Sequence, residues 1–221
     1  MNINKLMIRS SFYPGSGFLS HYSDDQIKNE PMLFSADYNY AMENGGPITK
    51  QFIMQLPPEI AGKPDFIFDS RSHMLMEGWY PCIPGWHLDD VPRTRKDGQP
   101  DHVYPEYKSK HAMALVGDAS VTSFLQGNFV LEDILDGDGR TIYKVWDEAI
   151  NKALETVPSL EKAAPTNQII FFDCETFHRG NPATKSGWRW FGRASWNTKR
   201  EVKNEIRNQV QVYMPCINQG W

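Results

Sequence analysis

The chain has little of what would assign it at a glance. Cysteine occurs 3 times in 221 residues, as Cys82, Cys174 and Cys216, with no CxxC pair. That excludes a disulfide scaffold and a zinc ribbon, and suits reduced thiols in a cytoplasm. No apolar run approaches the roughly 20 residues of a membrane helix. Near the N-terminus only Leu6-Met7-Ile8 is apolar, so no secretory signal is expected. Neither sign of charge dominates: 23 Lys and Arg face 27 Asp and Glu, a formal net charge of −4. Generic, charge-driven nucleic-acid binding is therefore not expected. GxSxG and HExxH are missing, which leaves serine and zinc hydrolases unsupported. Gly15-Ser16-Gly17 lacks the further glycine and lysine of a phosphate loop, and with Tyr13-Pro14 it reads as a plain loop.

What is present fits one globular domain over residues 1–221, with a helical and loop cover at 1–47 and a β core at 48–221. Ser23-Asp24-Asp25-Gln26 has capping-box spacing, so a short helix is expected up to Pro31. A second helix is expected over 36–43, ending at Asn44-Gly45-Gly46. Residues 49–55 read as a strand, as do 73–80, where His73 is taken as a strand-edge histidine. Residues 111–116 and 121–125 read as paired strands, with Phe129-Val130-Leu131 extending the second. Asp136-Gly137-Asp138-Gly139-Arg140 fails as a calcium loop and reads as a turn. Ile142, Trp146, Ala149, Ile150, Ala153 and Leu154 recur at helical spacing, predicting a helical insertion near 141–157 that packs on the sheet. Residues 168–172 and 209–214 complete the strand set.

The chemistry concentrates in Gly85-Trp86-His87-Leu88-Asp89-Asp90. In an extended segment, i and i+2 leave the same face, so His87 and Asp89 can aim an imidazole nitrogen and a carboxylate at one point. His178 follows the buried-type strand 168–172 and is the best third ligand. Two histidines and a carboxylate on one face leave open positions on a ferrous ion. Arg189 and Arg193 lie 11 and 15 residues after His178. If 187–196 is a strand, Arg189, Phe191, Arg193 and Ser195 share a face, and both guanidinium groups look into the cavity of His178. Buried arginines want an anion.

Supporting candidates surround this set. Thr176 is placed to orient His178 by a hydrogen bond, and Cys174 reads as a small buried filler. Trp79, Trp86, Trp188, Trp190 and Trp196 cluster around the motif in sequence, divided between pocket lining and core. Residues 91–110 form a polar stretch in which Arg93, Arg95, Lys96, Lys108 and Lys110 outnumber Asp97, Asp101 and Glu106. It reads either as a substrate lid or as a solvated loop, and its local excess points to an anionic substrate.

His-X-Asp, a distant His and a later Arg resemble the iron(II)/2-oxoglutarate-dependent dioxygenases, in a phytanoyl-CoA-hydroxylase-like branch or a similar one. The resemblance covers residues 87–195. It implies a mainly β fold with peripheral helices, a double-stranded β-helix or cupin-like jelly roll. Fe(II) would be held by His87, Asp89 and His178, which are also the catalytic centre. The co-substrate 2-oxoglutarate would be held by the metal and an arginine, with Arg189, Arg193 and Ser195 as the candidates, since Arg193-Ala194-Ser195 resembles an Arg-X-Ser pairing used for the distal carboxylate. The implied reaction decarboxylates 2-oxoglutarate to succinate and hydroxylates a small or nucleotide-like substrate, with no membrane partner. Related halogenases lack the carboxylate, so Asp89 implies hydroxylation. A cupin-like metalloprotein that does not use 2-oxoglutarate and a non-catalytic jelly-roll binding module remain alternatives.

Overall fold

The computed structural model describes residues 5–103, 105–134 and 138–214. Its N-terminal part runs β1 (Lys5–Ser10), β2 (Tyr13–Phe18), α1 (Asp24–Lys28), β3 (Met32–Phe34), α2 (Tyr38–Asn44), α3 (Pro47–Met54) and α4 (Pro58–Ala61). There follow β4 (Ile67–Leu75), β5 (Lys110–Val116), β6 (Thr122–Leu125), β7 (Gly127–Glu132) and α5 (Ile142–Thr156). The chain closes with β8 (Glu161–Ala163), β9 (Gln168–Asp173), β10 (His178–Gly180), β11 (Gly187–Trp196) and β12 (Glu205–Arg207).

Two antiparallel sheets carry the architecture. The larger has the order β2-β9-β5-β11-β4 and the smaller β10-β6-β8. A bridge between His87 and His178 adds the segment around His87 to the smaller sheet, beside β10. Along the chain, β4 lies in the large sheet, the His87 segment in the small one, β5 in the large, β6 and β8 in the small, β9 in the large, β10 in the small and β11 in the large. Apart from β7, which pairs with β1, and β6 and β8, which share the small sheet, strands from β4 to β11 alternate between two layers, the winding of a jelly roll.

Period-two burial explains why the layers hold. On β5, Ala112, Ala114 and Val116 join a core with Ile27, Phe52, Phe68, Trp190 and Trp196 that seats the helices on the large sheet's outer face. Met113 and Leu115 of the same strand point inward to Phe124, Ile170 and Phe172. Burying each such large side chain contributes roughly 1.5–3 kcal/mol. A third core joins α5 through Trp146 and Ile150 to Trp86, Leu88 and Phe177, so the helical insertion sits against both histidine-bearing segments.

Several elements differ from expectation. The strand expected at 49–55 is helix α3: Ile48, Phe52 and Ile53 recur at helical spacing and are buried together, and Pro47 starts the helix, overriding local β-propensity. The loop expected at Tyr13-Pro14-Gly15-Ser16-Gly17 is strand β2 at a sheet edge, where a register shift between Pro14 and Phe18 accommodates the proline. With β1 paired to β7, the first residues build sheet as well as helical cover. β5 and β6 do not pair with each other but lie in different sheets, and β7 pairs with β1 instead of extending β6. Residues 209–214 form no strand: Tyr213 bridges Tyr80, and the consecutive Gln209, Val210 and Gln211, with Tyr213, line a cavity, so the expected two-residue alternation does not set their placement. The strand expected at 73–80 is shifted to Ile67–Leu75.

The capping box at Ser23 forms, with Gln26 reaching back to the Ser23 amide. Gly45 ends α2 as the glycine pair suggested. Cys82 and Cys174 are free thiols. Cys216, and Asp136 and Gly137 of the expected turn, fall outside the described residues. Among the described residues no helix is long and apolar enough to cross a membrane.

Candidate active site

His87 and His178 stand directly opposite each other, joined by two main-chain hydrogen bonds of 3.1 Å between neighbouring strand segments. Paired residues project from the same face, so the imidazole rings come within 4.7 Å, centroid to centroid. Asp89, two residues along from His87, leaves that face as well. One ligand atom from each of His87, Asp89 and His178 lies within 4.8 Å of the others.

Both histidines are oriented by the same device. Nδ1 of His87 lies 2.9 Å from the Gly85 carbonyl, and Nδ1 of His178 lies 3.0 Å from the Thr176 carbonyl. A carbonyl accepts only, so each Nδ1 carries the proton and each Nε2 keeps its lone pair for a cation. Thr176 therefore orients His178 as expected, but through its main chain; its hydroxyl donates to the Ser11 carbonyl instead. Burial and the neighbouring His178 push the His87 pKa down, keeping that ring neutral. Burial pushes Asp89 up, yet Arg193 and the two imidazoles outweigh it and hold the carboxyl well below its ordinary range. Two lone-pair imidazoles and an ionised carboxylate suit a divalent transition metal, Fe(II) among them.

The helix α5 fixes the segment that carries His87. Its Asp147 accepts a 2.6 Å hydrogen bond from the Trp86 amide, and its Asn151 accepts from the Trp86 indole at 3.2 Å. Arg179, next to His178, lies 4.4 Å over the Trp86 ring and pairs with Glu161. Gly85 has φ +103°, a conformation that a side chain would strain, and so turns its carbonyl onto His87. On the other side, Phe124 and Phe172 pack around His178 at 5.5 and 5.4 Å.

The arginine strand behaves as its alternation implies, with one exception. Arg189, Phe191 and Arg193 line the same cavity of ≈ 860 Å³ as His87, Asp89 and His178. Ser195 does not line it: its hydroxyl is fully buried, 2.9 Å from Nδ1 of His111, the residue opposite it on β5. The two arginines have unlike surroundings. Arg193 pairs with Asp89 and stands 4.0 Å from Asp69, its partner across the β4 ladder. Arg189 is 3% exposed and, among the described residues, donates only to neutral oxygens, the Ser120 carbonyl at 2.9 Å and the Thr122 hydroxyl at 3.0 Å. Burial pulls its pKa down to about 10, with Cys82 opposing and Arg71 adding to the fall.

Of the tryptophans expected near the motif, Trp86 lines the cavity, whereas Trp190 and Trp196 belong to the core under the helices. Cys174 is buried filler, its thiol pushed up to about 11 by burial. Between Asp90 and β5 the described residues form no helix or strand, but ion pairs of Arg95 with Asp97 and Asp133 and of Lys108 with Glu175 tie the stretch down. His73 is a sheet-edge histidine whose ring is nonetheless buried and lines the cavity.

Asp69, Arg71, Arg200 and Arg207, which also line the cavity, went unnoticed in the sequence. The available signal was Asp69-x-Arg71-x-His73, polar residues at period two on one strand. Arg200 and Arg207 offer no such period.

No family model and no curated protein matches the chain in sequence. Solved structures with a similar course include EvdO2 from Micromonospora carbonacea var. aurantiaca complexed with 2-oxoglutarate, at TM-score 0.40 and 12% identity, covering 91% of this chain and 80% of that one. CytC3 with Fe(II) and alpha-ketoglutarate gives 0.39 and 9%, covering 85% and 72%. HygX from Streptomyces hygroscopicus with iron bound gives 0.36 and 9%, covering 89% and 83%. The chemistry of the site rests on the residues described above.

Proposed function

We propose that the chain is an Fe(II)- and 2-oxoglutarate-dependent oxygenase that hydroxylates a small molecule. The single observation that carries this reading is the convergence of His87, Asp89 and His178 in a cavity that also holds Arg189, a buried cation without a carboxylate partner among the described residues. His87, Asp89 and His178 would hold the metal, and the Arg189 guanidinium would pair with the far carboxylate of a dicarboxylate co-substrate.

Charge separates the two arginines. Arg193 already faces Asp89 and Asp69, whereas among the described residues Arg189 has only a carbonyl and a hydroxyl. Arg189 with Thr122 is therefore the cradle assigned to the distal carboxylate, and Arg193 the residue that holds Asp89 in place. Ser195 has no part in that cradle.

The chemistry supplied by bound Fe(II) and 2-oxoglutarate is decarboxylation by dioxygen to succinate and carbon dioxide, coupled to oxidation of a substrate C–H bond. The chain's own contributions are positional. His87 and His178 present Nε2 because carbonyls hold their Nδ1 protons, Asp89 supplies an ionised oxygen, and Phe124 and Phe172 keep water from His178. The stretch after Asp90 reads as the substrate lid, with Arg93 reaching the cavity. Free Cys82 and Cys174 suit the cytoplasm.

The test is succinate release from 2-oxoglutarate by the Fe(II)-loaded full chain under oxygen. We expect slow release without substrate, lost in His178→Ala. Metal uptake without any 2-oxoglutarate turnover or binding would overturn the assignment in favour of a cupin-like metalloprotein.

A further inference from the structure

The cavity has a second positive pole, distinct from Arg189. Arg71 projects from β4, Arg200 follows β11 and Arg207 comes from β12, and all three line the cavity. Among the described residues the one carboxylate in an ion pair with any of them is Asp69, 2.7 Å from Arg200 and 3.7 Å from Arg207. Asp69 also faces Arg193 and accepts a main-chain hydrogen bond from Ser35. Arg71 has neither a salt bridge nor a hydrogen bond to any described residue. Nη1 of Arg200 and Nε of Arg207 are buried donors without an acceptor among the described residues.

Such orphaned donors are costly unless a ligand completes them. The groups are nevertheless held in place. Arg207 lies 4.1 Å over the Phe34 ring, and Arg200 donates to the Ser35 hydroxyl at 3.0 Å. Burial above all, then the charges of Arg71 and Arg200, depress the Arg207 pKa against the pull of Asp69.

Setting Asp89 against Arg193, three guanidinium groups remain for the one carboxylate of Asp69, a surplus of two charges. A single carboxylate would leave half of that surplus. A phosphate monoester carries about −1.5 to −2 at neutral pH and three acceptor oxygens, which matches both the charge and the open donors. The pole is also within reach of the chemistry, because Arg193 touches Asp89 on one side and approaches Asp69 on the other.

We propose that Arg71, Arg200 and Arg207 form the recognition site for a phosphate group on the substrate, which would be a phosphorylated small molecule oxidised at a carbon near that group. The oxidation rests on the function proposed above; the anion site does not.

The test is calorimetric titration of the full, metal-free chain with inorganic phosphate, then acetate. We expect one saturable phosphate site, at least about tenfold tighter than any acetate site because each added charge-assisted hydrogen bond contributes. Arg71→Gln and Arg207→Gln should each weaken phosphate about tenfold, Arg71→Lys less, and Arg189→Gln little. Arg71 is part exposed, so its variants should fold, as circular dichroism would verify. Equal affinity for acetate, or sensitivity to Arg189→Gln in place of Arg71→Gln, would overturn the proposal. The Fe(II) and 2-oxoglutarate chelate, read separately, should survive Arg71→Gln. Its absence in the unmodified chain would sink the oxygenase reading and leave the anion site standing.

Discussion

The two sides of the cavity are built by opposite means. On the small sheet, reactive side chains sit on very short strand segments and are steered by neighbours: main-chain carbonyls fix the His87 and His178 rings, and Asp147 and Asn151 of α5 pin Trp86. On the large sheet, the arginines ride long, fully paired strands, where the ladder alone places Arg193 opposite Asp69 and Arg189 opposite His73. A metal centre needs ligand atoms aimed closely, and clamps supply that. A binding surface for anions needs charge surplus more than exact aim, and two paired strands provide it.

The comparison breaks most severely at the small sheet. His87→Ala or His178→Ala should weaken Fe(II) binding by well over a hundredfold, since even loss of a supporting partner costs about 10- to 100-fold. Metal titration followed by calorimetry would check it. On the large sheet the effect should divide by charge environment. Arg189→Ala should raise the 2-oxoglutarate dissociation constant roughly 10- to 150-fold, the loss of a charge-assisted bond of about 1.5–3 kcal/mol. Arg193→Ala should change it less than about threefold, because that cation is already neutralised. Equal losses would erase the distinction between the two arginines.

A smaller effect sharpens the role of the clamp. Asp147→Ala leaves the Trp86 amide unpaired and lets the His87 segment shift, so Fe(II) affinity should drop about tenfold while 2-oxoglutarate contacts on the large sheet persist. Metal titration of this variant and of Asn151→Ala would measure it.

How far the sequence already displayed this site depends on periodicity. His87, Asp89, Arg189 and Arg193 were legible because side chains two apart in extended chain share a face. The α5 insertion was legible through its apolar stripe, and His178 through the buried strand before it. What stayed hidden depends on partners far away in the chain. Residues 49–55 carry strand-forming side chains, and a helix start at Pro47 together with packing on the large sheet makes them a helix. Ser195 looked like a ligand-binding hydroxyl, but the β5 register gives it to His111. Arg200 and Arg207 carry no pattern at all, because the residues that gather them, Asp69, Phe34 and Ser35, lie far away in the chain.

The smallest predicted effect concerns stability and again contrasts the sheets. His73 and His111, both on the large sheet, are buried and neutral; burial lowers His73 to about 3, helped by Arg189 and Arg71, and holds His111 well below its ordinary value. Their folded pKa values lie below the unfolded one, so the unfolded chain binds more protons below about pH 6.5. Their contribution is whole above that pH and is lost as pH falls through the window, by about 1.4 kcal/mol per unit for each ring. Urea unfolding at about pH 7 and about pH 5.5 should show His73→Gln losing about 1 kcal/mol less than the unmodified chain. An identical pH slope in both would contradict it.

The most direct measurement is an anaerobic titration of the full chain with Fe(II) and 2-oxoglutarate, watching the visible charge-transfer absorption of the chelate. A saturable band that disappears in His178→Ala and needs far more 2-oxoglutarate in Arg189→Ala is the predicted result. A chain that takes up Fe(II) yet gives no band at any 2-oxoglutarate concentration would contradict the assignment.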